Sequence, residues 1–379
     1  MAKQVYKPTS INVEILTPVS IGDGGSLSPL SDYFIQDGRV HRISAEKLED
    51  YLEAEDLIDA YVDAVYQAAD SSKIDFWTND MGMDDPAFIS SGRSFLLNAA
   101  DNPTELKTIV RNGQHPYLPG STVKGAIKTA ILYQWLQEGP NSKLDTICNM
   151  LLNGRTKGER GRDEIDQVIS DFMESMPREK PAEFQRLRVA DSNPISENLV
   201  EIYQTKRLNM GSGKFDIPVP REALKPGVHN LQIPITILPE FEHKALQSIN
   251  SKGIQDIFGR INKFSYAHLG WLMDTLEDQE EYIQENDYEG IFENLWNNLN
   301  TIYDKIETAG DNEAYIQIGA GKTYFSNSIG LAIMDKDLKA FSALKRIYRL
   351  GKAKQELFPI SLTLTSNDFM PMGWIKLSF

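Results

Sequence analysis

The stretch Pro116–Leu136 (PYLPGSTVKGAIKTAILYQWL) constrains this chain more than any other. A Pro-Gly turn runs into a segment whose apolar residues Val123, Ile127, Ala130, Ile131 and Trp135 recur at spacings of three and four. That is the period of an amphipathic helix. Gly120 makes the turn, Ser121 or Thr122 is placed to cap the helix, and Lys124 and Lys128 fall four apart on another face. Gly125 lies in the first turns, where glycine costs about 1 kcal/mol relative to alanine. Close approach of another group to the backbone is a reason to keep it.

Around this unit the patterning alternates between strand and helix. Ile11–Leu16 (INVEIL) reads as a half-buried strand and runs into a Gly/Ser/Pro loop over Thr17–Asp32. Tyr33–Ile35 and Val40–Ile43 flank Asp37-Gly38, a hairpin signal, and Ser44 opens a helix. Asn153–Arg162 reads as a basic loop, and Gln185–Ala190 and Leu199–Arg207 as strands. Leu231–Leu238 is a strand that Pro234 pushes toward an edge or a bulge. From Phe241 to Thr308 the period is helical, after which strands return at Tyr315–Ile318, Leu357–Leu364 and Gly373–Phe379 around a basic helix over Leu338–Leu350. The order predicts an α+β fold of two units, the first over 1–239 with a variable helical insertion near 45–110. The second, over 240–379, carries a helical block at 241–310.

The net charge of −15 argues superficially against a polyanionic partner, but it is unevenly spread. Trp271–Ala314 holds thirteen acidic residues and one lysine, whereas Tyr315–Phe379 holds nine basic and four acidic residues. The acidic block reads as a solvated helical face, which leaves the remainder free to present basic surface. One cysteine, Cys148, excludes an internal disulfide framework, and five scattered histidines make no zinc-ligand pattern. The polar start Met1–Ser10 and the lack of a long apolar run give the expectation of a soluble cytoplasmic protein without membrane or cofactor.

Catalytic signatures are weak. Gly319-Ala320-Gly321-Lys322-Thr323 resembles the end of a Walker A loop, but Ile316 stands where its first glycine belongs. The loop still offers backbone N–H groups and Lys322 to an anion. Asp32 is a lone candidate general base or metal ligand, and His41 and His115 have no identifiable partner. Tyr33, Phe34, Tyr117, Tyr324, Phe325 and Trp374 lie near these loops, where aromatic rings can stack on bases.

Four features occur together and in order: TPVSIGDG (17–24) with SPLSDYFI (28–35); YLPGSTVKGAIKTAIL (117–132); RLRVADSNPI (186–195); and IGAGKTYFSNSIG (318–330) followed by LFPISLTL and PMGWIKLSF. In these the chain resembles the RAMP superfamily of CRISPR proteins, and within it the fifth-subunit family of type III-A (Csm) effector complexes. The resemblance implies two ferredoxin-like (RRM-like) units, the second carrying the acidic helical insertion. It implies a non-catalytic, RNA-binding role in antiviral defence, at the crRNA 3′ end and in crRNA maturation. The implied partners are crRNA and target RNA, the backbone (third) and small (second) subunits, and a complex containing the large Cas ten subunit. By position, Gly120, Ser121, Thr122, Lys124 and Gly125 would hold guide phosphates and Gly319, Gly321 and Lys322 would play a similar role; Lys128, Arg186 and Arg188 complete the expected RNA-binding set. The alternative is a RAMP endoribonuclease that processes guide RNA or cuts target RNA using Asp32, with His41 or His115 as the base of a metal-independent version.

Overall fold

The computed structural model describes residues 6–68, 76–99, 105–138, 143–153, 183–238, 241–242, 246–284, 290–351 and 357–379. The basic loop expected at Asn153–Arg162 lies, beyond its first residue, outside them.

In chain order, β1 (Thr9–Ile15) is followed by β2 (Gly22–Leu27), the hairpin β3 (Tyr33–Gln36) and β4 (Arg39–Ile43), and helices α1 (Ala45–Ala54) and α2 (Ile58–Ala68). Asp37 and Gly38 both have positive φ, 51° and 68°, as a tight hairpin turn of this kind requires. Ser44 caps α1 by accepting from Lys47 N–H. Next come β5 (Ser90–Asn98), β6 (Leu106–Ile109), the short pair β7 (Arg111–Asn112) and β8 (His115–Pro116), and helices α3 (Gly120–Gln137) and α4 (Lys143–Leu152). Strands β9 (Leu187–Val189), β10 (Val200–Asn209), β11 (Lys214–Phe215), β12 (Val219–Leu224) and β13 (Leu231–Ile237) lead to helices α5 (Gln247–Lys252), α6 (Ile254–Asp278), α7 (Glu280–Gln284) and α8 (Ile291–Glu307). The chain ends with β14 (Glu313–Gln317), α9 (Gly330–Lys336), α10 (Leu338–Tyr348), β15 (Ser361–Thr365) and β16 (Trp374–Ser378).

Two main sheets organise these elements. The first has the order β14-β16-β1-β13-β9 with every neighbouring pair antiparallel. Strands β1, β9 and β14 are therefore mutually parallel, and their carboxyl ends meet at one end of the sheet. Helix α3 connects β1 to β9 across the intervening β13, a split β-α-β arrangement. The second sheet has nine strands built around β10, in the order β2-β6-β12-β10-β5-β4-β3, with β11 and β15 on the far half of β10. The first sheet takes strands from both sides of residue 240. The expected parting of 1–239 from 240–379 thus separates neither the sheets nor the main core. Likewise the stretch near 45–110 is helical only in part, because β5 and β6 are strands of the second sheet.

Alternation along β1 turns Ile11, Val13 and Ile15 toward one face, where they pack with Val123, Ile127, Ala130 and Ile131 of α3 and with Ile257, Ile261 and Phe264 of α6. Tyr315 and Trp374, on the other face, pack with Leu272, Leu295 and Ile302. Helix α6 serves both cores, so the helical block is structural on its inner side. Its carboxylates Asp274, Glu277, Glu293, Asp304 and Glu307 are exposed, as the solvated-face reading predicts.

Two local expectations fail for identifiable reasons. Gly22–Leu27 is a strand, not loop: GDGGSL shows no apolar alternation, and pairing with β6 through a register shift holds it. Strand β13 is interior, with β1 on one side and β9 on the other. Pro234 is tolerated there because its carbonyl, which accepts from Ala190 N–H (2.9 Å), faces the side where β9 has already ended. Its missing donor lies on that same side.

Candidate nucleic-acid interface

Gly120 and Gly319–Lys322 lie where β9 and β14 finish, on the two edges of the first sheet, with Lys124 and Lys128 further along α3 and Arg186 at the start of β9. Gly120 starts α3 against the end of β9, and a Cβ there would lie 2.3 Å from the Val189 carbonyl oxygen and 2.4 Å from that of Ala190. Its N–H donates to Asp191 Oδ1 at 2.8 Å. Pro119 is the N-cap, and its carbonyl accepts from the N–H groups of Thr122 and Val123. Neither Ser121 nor Thr122 caps the helix. The anion favoured by the helix dipole is a carboxylate of the chain itself, Asp191.

The cations stand one and two turns further on. Lys124 and Lys128 lie half-buried beside exposed Arg188 of β9. Burial, then the charges of Lys128 and Arg188, lower the pKa of Lys124, and burial lowers that of Lys128. The Lys128 ammonium sits 5.1 Å from the centre of the Phe184 ring, a cation–π contact that orients it. Arg186 is half-buried on the same segment, its carbonyl accepting from Leu238 N–H. Gly125 is exposed and an added Cβ would meet no atom within 4 Å, so packing within the chain does not require this glycine.

The carboxy-terminal Gly-rich loop is built differently. Gly319 has φ of 72° and a Cβ there would lie 2.4 Å from the Ser20 carbonyl oxygen; at Gly321 the Met372 carbonyl oxygen is 1.9 Å away. Gly373 has φ of 95°, and a Cβ there would lie 2.1 Å from the Ile318 carbonyl oxygen. Ala320 N–H donates to Ser20, Ile318 N–H to Gly373, and Gly373 N–H to Pro18. These glycines allow three backbone segments to cross. Only two single 3-10 turns, Gly319–Gly321 and Phe325–Asn327, precede the α-helix at Gly330, so the Walker-like spacing does not build a P-loop. Lys322 is half-buried, and burial lowers its pKa.

Beside Lys322 lies a histidine that sequence reasoning passed over. His268 of α6 is buried, its ring between Phe264 and Trp374 and its Nε2 3.4 Å from Thr323 Oγ1. Burial, reinforced by Lys322, pushes its pKa down to about 4. The folded protein keeps it neutral while the unfolded chain takes up a proton below its ordinary value. Folding stability is therefore expected to fall as pH drops from about 6.5 to about 4, by roughly 3 kcal/mol from this group. Urea unfolding of the wild type and of His268→Gln across this range checks it: the substitution removes that share of the slope.

Asp32 holds its own turn: Oδ2 accepts from Ser28 N–H at 2.7 Å. His41 stacks on Phe34 at 5.0 Å. Tyr33, Phe34, Phe325 and Trp374 are buried in the cores and offer no face to a base, while Tyr117 and His115 line an open cleft with Arg111 and Asp191. A second basic cleft, which the strand pattern gave no reason to single out, lies on the other sheet between Lys206, Arg207 and Arg221. Arg221 Nε donates to Thr205 Oγ1 at 3.0 Å there, and burial and Arg207 lower its pKa. Among the described residues no three of His, Cys, Asp and Glu converge to hold a metal ion, and no helix is long and apolar enough to cross a membrane.

The split β-α-β sheet with a glycine-started helix and lysines at its strand ends defines a member of the RAMP superfamily, to which the chain belongs: the superfamily's sequence model matches residues 12–325. The chain is similar to the CRISPR-system protein Csm5 of Methanocaldococcus jannaschii, 24% identical over 313 residues, covering 81% of this chain and 65% of that relative's length. In fold it resembles the crystal structure of T. onnurineus Csm5 (TM-score 0.63, 17% identity, 96% and 99% of the two chains). It also resembles a chain in the cryo-EM structure of a type III-A Csm–crRNA–target RNA ternary complex (TM-score 0.63, 19% identity, 99% and 100%).

Proposed function

We propose that the chain is a non-catalytic RNA-binding subunit of a type III-A CRISPR (Csm) interference complex. It caps the filament at the crRNA 3′ end and supports crRNA maturation and assembly. The observation that carries this reading is the group Lys124, Lys128 and Arg188, beside a helix whose Gly125 leaves its backbone open. Cations held near one another suit a polyanion. Contacts to phosphate and ribose leave base edges free to pair, as a guide of variable sequence needs. Neighbours in such a filament are the backbone and small subunits, beside the large Cas ten subunit. We read β1, α3, β9, β13, α6 and β16 as one ferredoxin-like unit, its strand order 2-3-1-4 widened by β14. Asp32, engaged with Ser28 N–H, supports a structural role rather than a nuclease.

Lys124→Ala with Lys128→Ala is expected to weaken guide RNA binding and complex assembly while leaving the fold intact. Two lost phosphate contacts would lower the slope of log affinity against log salt by about 1.4 for single-stranded RNA. Filter binding between low and physiological salt, with circular dichroism alongside, reads both. An unchanged slope and unchanged assembly at physiological salt would reject the phosphate grip.

A further inference from the structure

The α1–α2 hairpin carries a surface that the RNA grip does not use. Ile58, Val62 and Tyr66 are 49%, 43% and 78% exposed and lie four residues apart, so they form one line along α2. The adjoining side of the helix is anchored: Tyr61 stacks on Trp77 at 5.8 Å and donates to the Leu30 carbonyl, while Ala64 and Val65 pack on the core formed by Phe34, Leu48, Leu52 and Phe76. The exposed line is therefore presented on a fixed support. Asp59 and Asp63, both exposed, border it three residues before Val62 and Tyr66. From Ala45 to Ala68 the chain has eight carboxylates and one lysine. Such a surface repels phosphate, so a nucleic acid or an anionic lipid is the wrong occupant.

We infer that α2 docks a helix of a neighbouring protein subunit, one with an apolar ridge at i, i+4 spacing rimmed by lysine and arginine. The ridge covers Ile58, Val62 and Tyr66, and the basic rim meets Asp59 and Asp63, which fixes the register along α2. This rests on the reading of the chain as part of a multi-subunit complex, but on a face separate from Lys124 and Lys128.

The test places a photo-crosslinking phenylalanine analogue at position 66 of the full chain within the reconstituted complex and sequences the attached product. The expected result is a crosslink to a lysine- and arginine-rich amphipathic helix of another protein subunit. Val62→Asp with Tyr66→Asp is expected to weaken that subunit's association tenfold or more at unchanged circular dichroism and unchanged RNA affinity. A crosslink to RNA, a crosslink to a second copy of this chain, or undiminished association of the double variant overturns the inference. Because RNA affinity is measured on the same preparations, its absence in the wild type would reject the RNA-binding reading while the crosslink still decides this one.

Discussion

Gly321→Ala is expected to destabilise the fold on the order of 3 kcal/mol, whereas Gly125→Ala is expected to stabilise it by about 1 kcal/mol. The two glycines belong to segments to which the sequence gives the same anion-holding expectation, Gly125 in the first turns of α3 and Gly321 in the carboxy-terminal loop. At Gly321 the added methyl would lie 1.9 Å from the Met372 carbonyl oxygen. That oxygen is fixed, since Gln317 Nε2 donates to it at 2.9 Å and to the Gly321 carbonyl at 3.0 Å. The backbone segments must part, and the crossing with Pro18–Ser20 loosens with them. At Gly125 the methyl meets open space on a helix, and only the conformational cost of glycine is relieved. Urea denaturation of the two variants gives midpoints moving in opposite directions. If Gly125→Ala also weakens RNA binding while raising stability, the open backbone is the functional feature.

Glu222→Ala is expected to cost about 3–5 kcal/mol, the loss that follows when one partner of a buried ion pair is removed. Glu222 is fully buried; its Oε2 accepts from Ile109 N–H at 3.1 Å and from Arg111 Nη1 at 2.5 Å, and Arg42 stands 3.7 Å from Oε1. Glu197 is the other acid of the cluster, paired with Arg93 and 3.7 Å from Arg111. Without Glu222, Arg42 loses its ion pair, Arg111 keeps only the longer one to Glu197, and the stitch between β6 and β12 is cut. Glu222→Gln keeps an acceptor for Ile109 N–H and should lose less. Lys107→Ala, which breaks an exposed pair with Glu105, should stay within about 1 kcal/mol of the wild type. Equal losses for Glu222→Ala and Lys107→Ala would refute the account.

The contrast between the glycine loops shows what the sequence could and could not disclose. The helix from Gly120, its buried face and the pairing of Lys124 with Lys128 were legible because they depend on neighbours within one or two turns. The hairpin at Asp37-Gly38 and the capped start of α1 were legible for the same reason. At Gly319–Lys322 the sequence offers backbone N–H groups and a lysine to an anion, and nothing local says that Ser20, Met372 and Gly373 cross there. Asp191 at the start of α3, Arg188 beside Lys124 and His268 beside Lys322 are long-range meetings. Strand β2 shows no apolar alternation because Gly22–Ser26 face solvent and Leu27 alone is buried; it is held by pairing with β6 and by Thr108 Oγ1 donating to Asp23 Oδ1. The parting at residue 240 followed the change of period there, whereas sheet membership is set by pairing and ignores that change.

Strands β1 and β16 lie side by side, with Ile15 opposite Ile375, and β15 closes onto β10 in the other sheet. During synthesis, then, neither sheet can be completed until residues 361–378 have left the ribosome. The α3 lysines emerge long before the sheet end that supports them. A nascent chain of this protein therefore carries Lys124 and Lys128 on an unfinished sheet until its last strand is added.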